Sequence, residues 1–127
     1  MEDLKTNNTK KCIKMVTVEV DRKDAYKLFL EKLFAGSKLN LTKRDYDILA
    51  LTKLNMNRFD SVKIAKLLNI SSANLNNYKA DLIKNKCLVK TNNGYYAVNS
   101  TIDLEYGDEI DIVFKLNVVN TPKEVEV

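Results

Sequence analysis

At 127 residues the chain is long enough for one domain with its own core, and its 45% apolar content and net charge of +4 suit a globular protein. No apolar run approaches the roughly 20 residues of a membrane-spanning helix, and the lysine-bearing start lacks a signal-peptide core, so a cytoplasmic protein without a membrane partner is expected. There is no histidine, and Cys12 and Cys87 have no metal-ligand spacing, so a zinc site and histidine acid/base chemistry are not available, no cofactor is expected, and both thiols read as buried.

In chain order, residues 1–11 are polar and aperiodic, a flexible tail. Over 12–20, Val16, Val18 and Val20 alternate with Thr17 and Glu19, which predicts a half-buried strand. Asp21 then caps a helix, with Asp24 in the box position. Tyr26, Phe29, Leu30, Leu33 and Phe34 form its apolar stripe, and Gly36 is expected to end it. A second helix starts with Thr42 as cap and Asp45 three positions on, with Leu41 stapled onto Tyr46. Tyr46, Ile48, Leu49, Leu51 and Leu54 form its apolar face.

Residues 60–86 show helical spacing on both sides of a break: Val62, Ile64, Ala65, Leu67 and Leu68, then Leu75, Tyr78, Leu82 and Ile83. Asn69 falls where a residue with positive φ is wanted, Ile70 plugs the core, and Ser71 is placed to cap the next helix. A small residue, an αL-tolerant residue, an apolar plug and a capping serine at these intervals describe a helix-turn-helix.

Over 88–99, Asn93-Gly94 is a hairpin signal. A two-residue turn there sets Thr91 opposite Tyr96 and Val89 opposite Val98, and turns Lys90, Asn92 and Tyr95 outward. Further on, Ile102, Leu104 and Tyr106 alternate, as do Ile110, Ile112, Phe114, Leu116 and Val118. A Gly107-Asp108-Glu109 loop aligns them as a C-terminal β-hairpin. The first and last strands need partners, each other or those of another copy, so a homo-oligomer through the terminal strands is expected. Residues 120–127 read as a second flexible tail. The expectation is an α+β fold with a single domain over 12–119: a winged helix-turn-helix core with an extra N-terminal strand and helix and a C-terminal hairpin.

The stretches LTKRDYDIL and VKIAKLLNISSANLNNYKADLIKNKCLV resemble the helix-turn-helix of bacterial DNA-binding regulators, especially the LuxR-type effector and sigma-factor region. The NNGYYAV hairpin makes the whole similar to the winged-helix branch. The likeness covers 41–99, with Asn69 where Gly is common and no Arg on the second motif helix. It implies double-stranded DNA as partner and a transcriptional regulator, or a phage DNA-transaction protein, as function.

Charge and exposure give the same expectation. Ten basic residues face four aspartates over 41–99, whereas from Ser100 on seven acids face two lysines, so one surface suits phosphate and another repels it. With Leu75, Tyr78 and Leu82 inward, Ser72, Asn74, Asn76 and Asn77 are left to reach base edges, and asparagine pairs bidentately with adenine, which suits AT-rich sequence. Lys63, Lys79, Lys84 and Lys90 would serve phosphates, and the outward wing residues Lys90, Asn92 and Tyr95 complete the set. With no Gly-rich phosphate loop and no nucleophile–base pair, no enzyme is expected. The alternative is a phage virion or packaging component, a ring- or connector-like subunit that uses the same fold to hold phage structural proteins. The excess of lysine over arginine and the many asparagines point to an AT-rich genome.

Overall fold

The computed structural model describes residues 11–119, and within them the chain is α+β, with four helices followed by one two-stranded antiparallel sheet. The helices are α1 (Arg22–Leu33), α2 (Lys43–Leu54), α3 (Ser61–Leu68) and α4 (Ser72–Lys84), and the strands are β1 (Leu88–Lys90) and β2 (Tyr96–Val98). The tails expected over 1–11 and 120–127 lie, Lys11 apart, outside the described residues.

Each helix starts where a side chain can take up free N–H groups. Asp21, Thr42, Asp60 and Ser71 each accept from the backbone N–H three residues on, a cap worth about 1 kcal/mol. At Thr42 the box closes, because Asp45 accepts in return from the Thr42 N–H at 2.8 Å. α1 ends at Leu33, three residues before Gly36, whose φ is not positive, so that glycine is not the terminator expected of it.

The ends of α3 and α4 share one device. Asn69 adopts φ 55° and ψ 50°, its N–H reaches Lys66 O, and the Ile70 N–H reaches back to Ala65 O at 3.1 Å. After α4, Lys86 takes the same left-handed conformation (φ 63°), its N–H donates to Ile83 O, and the Cys87 N–H donates to Leu82 O at 2.8 Å. Both are Schellman closures, which satisfy carbonyls that would otherwise be orphaned.

One core joins all six elements. Tyr26 and Leu30 of α1, Ile48, Leu49 and Ala50 of α2, Ile64 of α3, and Leu75 and Leu82 of α4 meet Leu88 and Val98 of the sheet. Burying each large aliphatic side chain contributes about 1.5–3 kcal/mol. No helix among the described residues is long and apolar enough to cross a membrane.

The hairpin forms, but its register differs by one residue from the expected one. Leu88 pairs with Val98, Val89 with Ala97 and Lys90 with Tyr96. The loop has three residues, Asn92, Asn93 and Gly94: Thr91 N–H donates to Tyr95 O, Gly94 N–H donates to Thr91 O, and Gly94 has φ +90°. Leu88 and Val98 are both buried, whereas the expected pairing would have carried the exposed Val89 inward, so core packing and the left-handed glycine together set the register.

The expected terminal strands are absent among the described residues: 12–20 and 102–118 carry no regular element, and no C-terminal hairpin forms about Gly107. Alternation marks a chain fit for a pleated surface, but a strand also needs a partner for its N–H and C=O groups, and neither segment meets one.

Residues 103–107 instead form a strap across α1 and α2. The Tyr26 hydroxyl donates to Asp103, Lys53 Nζ donates to Asp103 at 2.8 Å and Glu105 at 2.7 Å, and the Arg22 guanidinium donates twice to Gly107 O at 3.0 Å. Burial first, then the bond to Asp103, pushes the Tyr26 phenol pKa far up.

Candidate nucleic-acid interface

α4 has a sharply divided surface. Leu75 and Leu82 are buried and Tyr78 and Ile83 half-buried, while Ser72, Asn74, Asn76, Asn77 and Lys84 are exposed. Ala73 and Ala80 are also exposed, so the amides of Asn76 and Asn77 project beyond a low surface. Ser71 Oγ holds the first turn by accepting from Asn74 N–H at 3.1 Å, and the Asn74 side chain is exposed with no hydrogen bond among the described residues. The helix therefore presents three amides, each able to donate and accept, on a scaffold fixed at both ends.

The four lysines are not equivalent. Lys84 and Lys90 are exposed; Lys63 is exposed too, but its Nζ donates to Asn55 Oδ1 at 2.9 Å. Lys79 is half-buried, its Nζ 4.9 Å from the Phe59 ring centre and 4.8 Å from that of Tyr96. Lys79 is therefore not one of the exposed residues, as expected of it, because its cation lies across two rings, Phe59 before α3 and Tyr96 of β2. The ion pairs of the described residues, Lys27 with Asp47 and Lys53 with Asp103 and Glu105, all lie on α1, α2 and the strap.

On the hairpin Lys90 and Asn92 are exposed, while Tyr95 is half-buried under the Arg58 guanidinium, 4.3 Å from its ring centre. Arg58 is the exposed cation that sequence reasoning passed over. It precedes a buried Phe59 whose N–H donates to Tyr96 O at 2.8 Å, and an aromatic beside a basic residue at a loop end was the available signal.

Cys87 is buried and Cys12 exposed, which corrects the expectation of two buried thiols. Burial, with the Asp45 carboxylate adding, pushes the Cys87 thiol up to about 11. No group of three or more acidic or thiol side chains among the described residues is arranged to hold a metal ion. A concavity of about 620 Å³ lies away from α4, between α1 and the chain that follows the strap. No protein-family model, curated protein or solved structure matches the chain.

Proposed function

We propose that the chain is a double-stranded-DNA-binding protein of the winged helix-turn-helix type, a transcriptional regulator or a phage DNA-transaction protein acting in the cytoplasm. α3 and α4 serve as the helix-turn-helix and the β1–β2 hairpin as the wing. The observation that carries this is the exposure of Asn74, Asn76 and Asn77 on a helix whose opposite face is buried at Leu75 and Leu82. Such a helix enters the major groove with its amides at adenine edges, while Lys84, Lys90 and Lys63 meet phosphates and Asn92 and Tyr95 extend the contact along the backbone.

The test is fluorescence anisotropy with AT-rich and GC-rich duplexes at two salt concentrations. Asn76→Ala with Asn77→Ala is expected to weaken AT-rich binding by tenfold or more, at about 1–3 kcal/mol per bidentate contact, and to narrow the preference between duplexes. Lys84→Ala is expected to weaken both duplexes alike and to reduce the salt slope by about 1. Equal retention of duplex by the wild type and the asparagine double variant would remove α4 from the interface.

A second reading, a virion or packaging subunit, is favoured by one observation: among the described residues the apolar side chains of 12–20 and 112–119 stand largely exposed. An assembly would cover them.

A further inference from the structure

Two segments leave the domain side by side. Residues 12–20 run into the N-terminus of α1, and the strap ends at Gly107, whose carbonyl is held by Arg22 in the first turn of that helix. Between α1 and the chain beyond Gly107 lies a groove of about 620 Å³. Phe29 and Leu33 form one wall, and Leu104, Ile110, Ile112 and Phe114 the other, with Lys32 Nζ 5.2 Å from the Phe114 ring centre. Both the walls and the neighbouring segment are apolar and open: Phe114 is 52% exposed, Val16 77% and Val18 66%.

We propose that this groove receives residues 12–20 of a second copy of the chain, added as a β-strand along 110–118, and that two copies exchange these segments. Three features fit this occupant. The segment alternates Val16, Val18 and Val20 with Thr17 and Glu19, so one face can enter an apolar groove while the other stays wet. The segment carries Lys14, with Lys11 just before it, and the groove, besides Lys32 and the Lys53-paired Glu105, carries Glu109 and Asp111, so Lys14 has carboxylates to meet. Neither segment makes a ladder among the described residues, so the backbone N–H and C=O groups of both are open to one. Exchange of identical segments closes a two-fold dimer and removes both exposed edges at once.

The proposal gives the assembly reading a contact. Its test is run without DNA or any other protein, so its failure leaves the DNA reading, and assembly by another surface, standing. Full-length wild type, Val16→Asp/Val18→Asp and Ile112→Asp/Phe114→Asp are compared by light scattering coupled to size exclusion, with circular dichroism to show that each is folded. The wild type is expected to be a dimer and each variant a monomer. An equimolar mixture of the two variants is expected to give a heterodimer, because one intact segment still meets one intact groove. Lys14→Glu is expected to raise the dimer dissociation constant at least tenfold, with recovery on adding Asp111→Lys. A monomeric wild type at all concentrations, or a dimer that survives both double variants, would overturn the exchange.

Discussion

Alkaline pH probes the packing beneath α4 through Cys87, the residue that joins this helix to the hairpin. Its N–H donates to Leu82 O at 2.8 Å, its carbonyl accepts from Asn99 N–H at 2.9 Å, and its side chain is buried. The thiol rises from 9.0 to about 11, because burial and then the Asp45 carboxylate disfavour the thiolate. Below pH 9 the folded and unfolded chains both keep the proton. Between pH 9 and about 11 only the folded chain keeps it, so stability falls by about 1.4 kcal/mol per pH unit, roughly 3 kcal/mol in all. Cys87→Ala removes this titration and, with it, the packing of one sulfur, at a cost of about 1 kcal/mol. The variant is therefore expected to be less stable than wild type by about 1 kcal/mol at pH 8 and more stable by about 1 kcal/mol at pH 11, with a crossing near pH 10.

Four other groups, Tyr26, Lys27, Tyr46 and Lys53, are raised and lower stability in the same direction in both proteins; of these Tyr46, raised first by burial, also feels Cys87, as the smallest of its causes. Tyr26 is raised by burial and its bond to Asp103; for Lys53, burial pulls downward but the bonds to Asp103 and Glu105 outweigh it. A group raised in the folded state stabilises below its unfolded value, and that contribution is lost as pH climbs. Urea unfolding followed by circular dichroism at constant ionic strength gives both curves. Parallel curves from pH 8 to 11 would show that the Cys87 thiol titrates alike in the folded and unfolded chains, and the argument would fail.

Two substitutions test the joints of the candidate face. Lys86→Gly relieves a left-handed lysine, about 1–2 kcal/mol, against the entropy glycine adds to the unfolded chain, and is expected to stabilise by about 0.5–1 kcal/mol in chemical denaturation, whereas Asn69→Gly should change little because asparagine tolerates this conformation. Lys79→Met keeps the aliphatic stem but loses the contacts with Phe59 and Tyr96; a loss of about 1 kcal/mol is expected, against less than about 0.5 kcal/mol for the exposed Lys84→Met, and equal effects would remove the aromatic pair as Lys79's partner.

What could be read from sequence was whatever a few neighbouring residues decide. Asp21, Thr42 and Ser71 cap helices because a short oxygen meets an N–H three residues on, and Asn69 turns the chain because its side chain tolerates positive φ. The hairpin register was not local: Asn93-Gly94 fits a two-residue turn as well as a three-residue loop, and the choice fell to whether Leu88 or Val89 packs on the helices. Lys86 carried no sign that it would take a position usually given to glycine. For 12–20 and 110–118, alternation gave the kind of surface without naming the partner. Of the candidate site, the exposure of the α4 asparagines followed from helical spacing, whereas the capture of Lys79 by two rings from distant segments did not.

The connection between α2 and α3 explains how a short helix and a short hairpin can act as one surface. Met56 and Asn57 are both left-handed, with φ 57° and 54°, a costly pair outside glycine that the surroundings must fix in place. The fixing contacts run to every part of the candidate face. Asn57 Oδ1 accepts from Val98 N–H at 2.9 Å and the Phe59 N–H donates to Tyr96 O, so this segment covers the outer edge of β2 as a third strand would. Arg58 lies over Tyr95, the Phe59 ring takes Lys79 of α4, and the Asn55 amide donates to Arg58 O while it accepts from Lys63 of α3. Four residues, Asn55, Asn57, Arg58 and Phe59, thus bind α3, α4 and the hairpin. The spacing between the asparagine face and the hairpin tip therefore follows from this joint as well as from the packing of α4 on β1.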